Sequence, residues 1–419
     1  MFSKLPPETC RTLAGVSRII DEIAPIPARF RKDIGKNIRD LSELLTSRRP
    51  LLTGHYIGNP ARFSAYLRYF FPWNLFRLCK IFAGEDALFQ ESALSQKGGA
   101  GLLFLESHVD DDGPILIADF GSGPLTLPAA LWISMPSLRK KKIEFRCFDI
   151  NRQILKTGER LFAGITGENP GTPPGNWSIK TIASSLTEAR LEKKQTLVTA
   201  VYVYNELFRK LNAADGDALS TFADGEAARL SSFCGENGAV LIVEPGVPRS
   251  GEFIAHIRDR FIERGFSIDA PCTHHTDCPM RTSKIQNRAA KWCHFTFSTR
   301  EAPQALHDLS RMAHLPKERG AVSFLLARKG ADKRSASPKR NGIRVISDTF
   351  PLPDTRYGCY GCSEKGLVLL AGSRTGIEHL RSGTVISARV SGTEPRDKKS
   401  GALVLDAASA RYAETAPGG

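Results

Sequence analysis

The sequence lacks a long apolar run and the usual marks of a leader peptide. No segment approaches the ~18 consecutive apolar residues of a membrane-spanning helix. The first 25 residues lack the basic-then-apolar order of a secretory signal, and Glu8, Asp21 and Glu22 are atypical of an acid-poor transit peptide. These absences predict a cytoplasmic protein without a membrane partner. Most of the nine cysteines should then be reduced, so a cysteine cluster indicates metal binding or catalysis before disulfides.

Composition excludes further classes. With 41% hydrophobic and 24% charged residues and no internal repeat, the chain is not collagen-like, coiled-coil or wholly disordered. At roughly 100–200 residues per domain, its length suits two to four domains.

Positive charge is abundant and unevenly distributed. The 419 residues carry 58 Lys and Arg against 44 Asp and Glu, a net charge of +14. Residues 1–80 contribute +8 and residues 331–400 contribute +6, whereas residues 81–330 contribute only +1. Solubility would explain the total, but the distribution favours a compact core with basic flanking modules that meet a polyanion.

Apolar runs that alternate with helical segments predict a doubly wound parallel α/β sheet in the middle of the chain. The predicted strands are residues 115–120, 143–149, 178–183, 196–202 and 239–244. The predicted helices are residues 125–134, 151–163, 184–190, 205–212 and 217–234. Two further runs, residues 293–299 and 322–328, are interpreted as strands that could form an antiparallel pair at the sheet edge.

The flanking regions have a different texture. Residues 1–95 are predicted to be helical and basic, with a helical segment over 60–82 that Pro72 divides. Its aromatic residues Tyr66, Phe70 and Trp73 could stack on bases, but we interpret them as a core face. After the sheet, we expect a basic linker at 331–342, a small β domain at 343–392 and a poorly ordered tail at 393–419.

A glycine-rich turn is the strongest motif in the predicted sheet. The apolar run that ends at Asp119 leads through Gly121, Ser122 and Gly123 into a helix. Glycine allows backbone angles and close approaches to a ligand that residues with a Cβ forbid. These residues are therefore candidates for binding a cofactor, and the alternative is an ordinary tight turn.

The surrounding residues favour S-adenosylmethionine over a dinucleotide. Asp149 ends the next predicted strand, where a carboxylate can accept hydrogen bonds from both ribose hydroxyls of a nucleoside. Thr126 occupies the third glycine position of the dinucleotide fingerprint, which weakens the NAD alternative. Asp119 just before the turn resembles the first motif of class I methyltransferases.

The segment VYVYNELF (201–208) predicts the edge of the substrate opening, with Tyr204, Asn205 and Glu206 as catalytic candidates. It is neither an Asn-Pro-Pro-Tyr motif nor a cysteine nucleophile motif. Methyl transfer depends mainly on in-line positioning, so the catalytic assignment stays open.

Cysteines outside the early sheet form a possible metal site. They are Cys272, Cys278, Cys293 and either Cys359 or Cys362. Four thiolates suit zinc or an iron–sulfur cluster. Nearby histidines also allow a mixed Cys/His zinc site, and the plain alternative is reduced cysteines in a folded loop; the histidines are His274, His275 and His294.

Several motifs together resemble one known family. In chain order they are DFGSGPLTLPAAL, VYVYNEL, VEPGVP, APCTHHTDCP, WCHF and SFLLARK. Over about residues 60–370 they resemble the methyltransferase-like assembly factors of the mitochondrial small ribosomal subunit and their bacterial relatives. The Cys-Pro and Trp-Cys-His-Phe elements are the most specific part. Thr273-His274 departs from the family's Pro-His, and the tail beyond residue 370 has no match.

The resemblance implies a class I methyltransferase-like domain over 96–330, with a Cys-rich insertion at 272–293. It also implies a [4Fe-4S] cluster, whose ligands by motif are Cys272, Cys278, Cys293 and Cys362. The implied partners are small-subunit ribosomal RNA and the assembling subunit. We expect a monomer when free, located in the bacterial cytoplasm or, in a eukaryote, the mitochondrial matrix.

Three functional hypotheses follow. The first is a factor that binds S-adenosylmethionine and an iron–sulfur cluster and could methylate ribosomal RNA. The second is a non-catalytic RNA-binding assembly protein with the same fold. The third is a methyltransferase for a small molecule or a protein, with a structural zinc site.

Overall fold

The structure is a computed structural model, and its strands form an eight-stranded and a seven-stranded sheet. No described helix is long and apolar enough to cross a membrane. The described residues are 2, 4–46, 56–82, 105, 113–167, 175–207, 211, 217–282, 291–330, 342–409 and 411–412.

The N-terminal region is helical, as predicted, within its described residues. Its helices are α1 (Pro7–Ile23), α2 (Ala28–Arg31), α3 (Ile34–Leu45), α4 (Pro60–Ala65) and α5 (Phe71–Phe82). A π-helical turn, Tyr66–Phe70, joins α4 to α5, and Pro72 lies in the first turn of α5, where proline is tolerated. Lys80, 3% exposed, pairs with Glu301 at 2.6 Å and so ties α5 to the main sheet domain.

The eight-stranded sheet has the order β3-β2-β1-β4-β5-β8-β6, with β7 paired to β8. Strands β1 to β5 run parallel, and β8 is antiparallel to β5, β6 and β7. The strands are β1 (Ile115–Phe120), β2 (Ile143–Asp149), β3 (Trp177–Ala183), β4 (Gln195–Val201), β5 (Cys234–Pro245), β6 (Ser267–Ala270), β7 (Phe295–Ser298) and β8 (Arg319–Arg328).

Helices cover both faces of this sheet. One core contains side chains from α1, α3, α5 and α6 against one face of β1, and a second contains side chains from α9 and α10 against the other. This arrangement confirms the doubly wound α/β prediction. The helices are α6 (Thr126–Ser134), α7 (Arg152–Thr166), α8 (Tyr204–Leu207), α9 (Ala218–Phe233), α10 (Pro248–Glu263), α11 (Pro279–Thr282) and α12 (Gln304–Met312).

The second sheet has the order β14-β12-β11-β9-β13-β15, with β10 paired to β11, and its own apolar core. Because β14 pairs in parallel with β12, the expectation of a poorly ordered tail from residue 393 is wrong for this strand. The elements are β9 (Gly342–Val345), β10 (Phe350–Pro351), β11 (Tyr357–Ser363), β12 (Gly366–Gly372), α13 (Arg374–Ile377), β13 (Val385–Ser387), β14 (Leu403–Asp406) and β15 (Arg411–Tyr412).

One local prediction on the first sheet needs correction. Residues 184–190 form a turn rather than a helix, and the Ser185 hydroxyl donates a hydrogen bond to the Glu188 carboxylate within it. The predicted antiparallel pairing of β7 with β8 is confirmed. Strand β8 also pairs with β5 and β6. Most of the predicted linker, residues 331–341, lies outside the described residues.

Candidate functional site

The glycine turn after β1 is held against the end of β2. The N–H groups of Gly121 and Ser122 both donate to the Phe148 carbonyl, at 2.8 and 3.0 Å. Gly121 and Gly123 have φ of +70° and +53°, values that favour glycine. A Cβ at Gly121 would lie 2.6 Å from a methyl carbon of Val203, so the turn also packs against the segment after β4.

Asp149 connects β2 to this turn. Its Oδ2 accepts a hydrogen bond from the Gly123 N–H at 3.0 Å, and its Oδ1 accepts one from the Asn151 N–H at 2.8 Å. Burial raises the pKa of Asp149, and the two N–H groups partly offset this effect. A carboxylate offers about four acceptor sites, so Asp149 can also accept hydrogen bonds from a ligand.

Asp119 is buried directly below the turn. It is 1% exposed, and its Oδ1 accepts a hydrogen bond from the Thr199 hydroxyl at 2.7 Å. Its Oδ2 is buried without a hydrogen-bond partner. Burial raises the pKa of Asp119 to about 7, and the charge of Asp149 adds to this rise. A buried, unpartnered carboxylate oxygen beside a glycine turn fits a donor supplied by a bound ligand.

The raised pKa gives a stability prediction for Asp119→Asn. Ionised Asp119 costs more in the folded than in the unfolded chain, so wild-type stability falls as the pH rises from about 4 to 7. The amide variant has no such titration. We expect it to be more stable at pH 8 by about 4 kcal/mol, with the difference closing towards pH 4. Urea unfolding across this pH range measures the effect, and a difference independent of pH would contradict it.

Tyr66, in the π-helical turn, forms a wall of the site. From the sequence we interpreted this residue only as part of a core face. A Cβ at Gly123 would lie 3.6 Å from its hydroxyl oxygen. Burial raises the pKa of Tyr66 strongly, and the charges of Glu206 and Asp149 add to the rise. Of the other two aromatic residues, Trp73 is fully buried in the core as expected, and Phe70 is half-buried.

The segment after β4 is fixed by a residue of the VEPGVP motif that was not among the candidate site residues. Glu244, fully buried at the end of β5, accepts hydrogen bonds from the N–H groups of Tyr204 and Asn205 at 2.8 and 3.1 Å. Burial raises its pKa to about 8. Tyr202 has a φ of +58°, a strained value for tyrosine, and its hydroxyl is buried without a partner.

The three catalytic candidates are therefore placed differently. The Tyr204 ring is fully buried in the second core, 4.7 Å from that of Phe253, with its hydroxyl 3.2 Å from Glu226. It does not line an opening, which corrects our expectation. Asn205 has a buried side-chain oxygen without a partner, and Glu206 is close enough to raise the pKa of Tyr66. These two residues stay candidates.

Four cysteines belong to segments that meet at the second sheet, where Thr273 donates a hydrogen bond to the Gly342 carbonyl and Arg344 donates one to the Pro271 carbonyl. Cys272, Cys278 and Cys293 come from the segments between β6 and β7, and Cys362 comes from β11. Burial raises the pKa of Cys362 well above its usual range, and the charges of the other three thiolates raise it further. Burial also raises the pKa of Cys293 well above its usual range, and the charges of Cys272 and Cys278 add to this rise.

Arg258 of α10 lies against this cluster. It is 2% exposed, and its guanidinium donates to the Cys272 sulfur at 3.2 Å and to the carbonyls of His274 and Thr276 at 2.7 and 2.9 Å. Burial alone would lower its pKa, but nearby thiolates and Asp259 outweigh that effect and raise it. This cation stabilises negative charge on the sulfur atoms.

The structure separates Cys359 from Cys362. Alternate residues of a strand point to opposite faces, and Cys359 lies fully buried in the core of the second sheet. Cys362 lies 3.3 Å from the His274 ring nitrogen Nε2. Of the other histidines, His275 accepts the Ile268 N–H and His294 bonds to a backbone carbonyl. Among the described residues, no group of three or more His, Cys, Asp or Glu side chains is arranged to hold a metal ion.

The fold and the glycine turn define a class of protein. An order of β3-β2-β1-β4-β5-β8-β6 with only β8 reversed among these strands, and a glycine turn after β1, is the architecture of class I methyltransferases. The family model described as "Mitochondrial small ribosomal subunit Rsm22" matches residues 102–351, more than half of the chain. The chain belongs to the Rsm22 family. No curated protein is detectably similar to it in sequence.

Solved structures that match this chain include methyltransferases. A putative methyltransferase from Thermoplasma acidophilum is 11% identical, with 52% of this chain and 69% of that chain covered and a TM-score of 0.31. A putative class I S-adenosylmethionine-dependent methyltransferase from Listeria monocytogenes is 12% identical, with 77% and 87% covered and a TM-score of 0.31. An RNA methyltransferase from Salinibacter ruber, in complex with S-adenosyl-L-homocysteine, is 13% identical, with 34% and 71% covered and a TM-score of 0.22.

Proposed function

We propose that this protein is an S-adenosylmethionine-binding factor of small ribosomal subunit assembly. The observation that carries the proposal is the unpartnered, buried Asp119 oxygen beneath a glycine turn that Asp149 holds in place. In the proposed complex, Asp149 accepts hydrogen bonds from the ribose hydroxyls. Gly121, Ser122 and Gly123 allow the close approach of the methionine part.

Bound adenosylmethionine would supply an electrophilic methyl group. The part of this chain is to position it and exclude water, which the half-buried Tyr66 and the pinned segment after β4 are suited to do. Methylation of ribosomal RNA is the proposed activity. Asn205 and Glu206 are the candidates for orienting the acceptor.

The placement of Tyr204 favours a second candidate, a non-catalytic assembly protein. Tyr204 belongs to the segment that, in methyltransferases, faces the transferred methyl group, yet its ring packs into the core. A protein of this kind would keep the cofactor fold for its shape and for RNA contact alone.

We propose that Cys272, Cys278, Cys293 and Cys362 hold a [4Fe-4S] cluster. The donor set is made of thiols, and Arg258 compensates part of their negative charge. Four thiolates also suit a single zinc ion, which is the alternative. We prefer the cluster because it is what the resemblance of the Cys-Pro and Trp-Cys-His-Phe elements implies.

Ribosomal RNA is the proposed partner because the basic excess is exposed at both ends of the chain. Arg31, Lys32 and Lys36 are exposed on the N-terminal helices. The second sheet and its connections expose further cations: Lys365, Arg374, Arg381, Arg389, Arg396 and Lys399. We propose a free monomer, located in the bacterial cytoplasm or in the mitochondrial matrix of a eukaryote.

Two titrations test this proposal. Calorimetry with S-adenosylmethionine is expected to show one site, and an absence of binding would overturn the cofactor assignment. Binding of a small-subunit RNA fragment is expected to weaken steeply as salt rises, because phosphate contacts release counterions. Weak and salt-insensitive RNA binding would instead favour a methyltransferase for a small molecule or a protein.

A further inference from the structure

A pocket of about 190 Å³ lies where the second sheet meets the segment before β7. It is separate from the glycine turn, and the cofactor site proposed above makes no use of it. Five residues from three parts of the chain line it: Lys291, Phe350, Tyr360, Lys399 and Ser400.

Two aromatic rings form one wall of this pocket. The ring centroids of Phe350 and Tyr360 are 5.1 Å apart, with the planes inclined at 33°. Pairing of β10 with β11 fixes the backbones that carry them. Both side chains are only half-buried. Because the Lys291 ammonium lies over the Tyr360 ring, Phe350 is the ring of this pair that can receive a third ring.

Two lysines flank these rings. The Lys291 ammonium lies 4.5 Å from the centroid of Tyr360, and Lys399 is exposed at the rim. The loop that carries Lys399 is fixed because the Asp397 carboxylate accepts hydrogen bonds from the N–H and the hydroxyl of Ser400, at 2.6 and 2.5 Å. The cations are therefore held beside an aromatic face.

We propose that this pocket binds one unpaired nucleotide of a single-stranded RNA segment. The base stacks on Phe350 beside Tyr360, and the flanking phosphates pair with Lys291 and Lys399. An acidic peptide would use the lysines but would leave the flat aromatic face without a partner, so RNA fits the pocket better. The inference rests on the proposed RNA contact and deepens it by naming a single-stranded segment as the target.

Fluorescence anisotropy of a short labelled oligouridylate with the full-length protein tests the aromatic wall. Phe350→Ala is expected to weaken binding about 10-fold or more, since loss of one base–aromatic stack has effects of this size. Phe350→Tyr keeps a ring and should bind as the wild type does. Phe350→Leu keeps apolar volume without a ring and should bind weakly. Thermal unfolding of each variant checks that it is folded.

A matched pair of lysine variants tests the cationic rim. Lys399→Gln should lower affinity and reduce the slope of log affinity against log salt by about one. Lys398→Gln removes the same charge from the neighbouring exposed residue, which lies outside the pocket lining. It should lower affinity less than Lys399→Gln does, because Lys398 does not line the pocket.

The outcomes separate this inference from the proposed function. If wild-type protein binds the oligonucleotide and Phe350→Ala and Phe350→Leu bind equally well, the pocket assignment is overturned while RNA binding stands. If a labelled acidic peptide binds the wild type and is weakened by Phe350→Ala, while the oligonucleotide does not bind, the nucleotide assignment is overturned and the pocket takes a protein. If the wild type binds no RNA of any kind, the proposed RNA contact fails as well, whatever the result with S-adenosylmethionine.

Discussion

Replacement of Cys362 by serine is expected to remove bound iron and sulfide from the protein. A serine hydroxyl is a poor substitute for a soft thiolate, and a cubane cluster needs four such ligands. Because Cys362 is the proposed ligand from β11, its loss would also remove the proposed metal-mediated link between the second sheet and the other three cysteines. Metal binding is coupled to folding, so thermal unfolding should shift down by about 10 °C. Iron and sulfide analysis after anaerobic purification measures the first effect.

Cys359 provides the matched control on the same strand. It lies fully buried in the core of the second sheet, away from the other thiols. Cys359→Ala should therefore keep the full iron and sulfide content, with only a modest loss of stability from the smaller side chain. Retention of iron and sulfide in the Cys362 variant would exclude it as a ligand. If the wild type contains one equivalent of zinc and no sulfide, the cluster assignment is wrong and the site is a zinc site.

The central sheet could be predicted from sequence because its signals are local. Strands β1 and β2 are short apolar runs bounded by polar residues, and their observed limits, Ile115–Phe120 and Ile143–Asp149, are those predicted. Because helices bury both faces of these strands, each strand can be recognised in the sequence as a nearly continuous apolar run. The glycine turn is equally local, since positive φ at Gly121 and Gly123 is a property of the residue type.

The rest depends on contacts between distant segments. Strand β14 has only four residues and gains its place by pairing with β12, so its sequence alone suggested a tail. Tyr66 belongs to an aromatic helical stretch whose pattern indicates a core face. Only its packing against Gly123, from another element, reveals a site. Glu244 is a third case, because its role lies in two backbone bonds to the segment after β4.

The four proposed cysteine ligands were partly predictable from sequence. Motif order predicts which cysteines belong together, but the choice between Cys359 and Cys362 depends on which face of β11 each one occupies. A shift of one residue in strand register would exchange the two faces. Pairing of Cys362 with Arg344 of β9 and with Leu367 of β12 fixes that register. The three-residue spacing of the two cysteines then places them on opposite faces.

Replacement of Asp149 by alanine is expected to abolish measurable S-adenosylmethionine binding. A hydrogen bond to a charged group contributes about 1.5–3 kcal/mol, so loss of two bonds to the ribose hydroxyls weakens affinity by about 100-fold or more. The variant also loses the acceptor for the Gly123 N–H, which loosens the turn. Calorimetric titration of the folded variant measures the loss.

Two further variants separate these effects. Asp149→Asn keeps an oxygen that can accept the Gly123 N–H but removes the charge, so it should bind the cofactor more weakly than wild type and more tightly than Asp149→Ala. Glu144→Gln removes a carboxylate from the same strand, where Glu144 is half exposed and 3.7 Å from Arg146. It should bind like the wild type. Equal binding by Asp149→Ala and the wild type would mean that the ribose lies elsewhere and that Asp149 only shapes the turn. Of these two carboxylates, only Asp119, with its unpartnered oxygen, would then still indicate where a ligand binds.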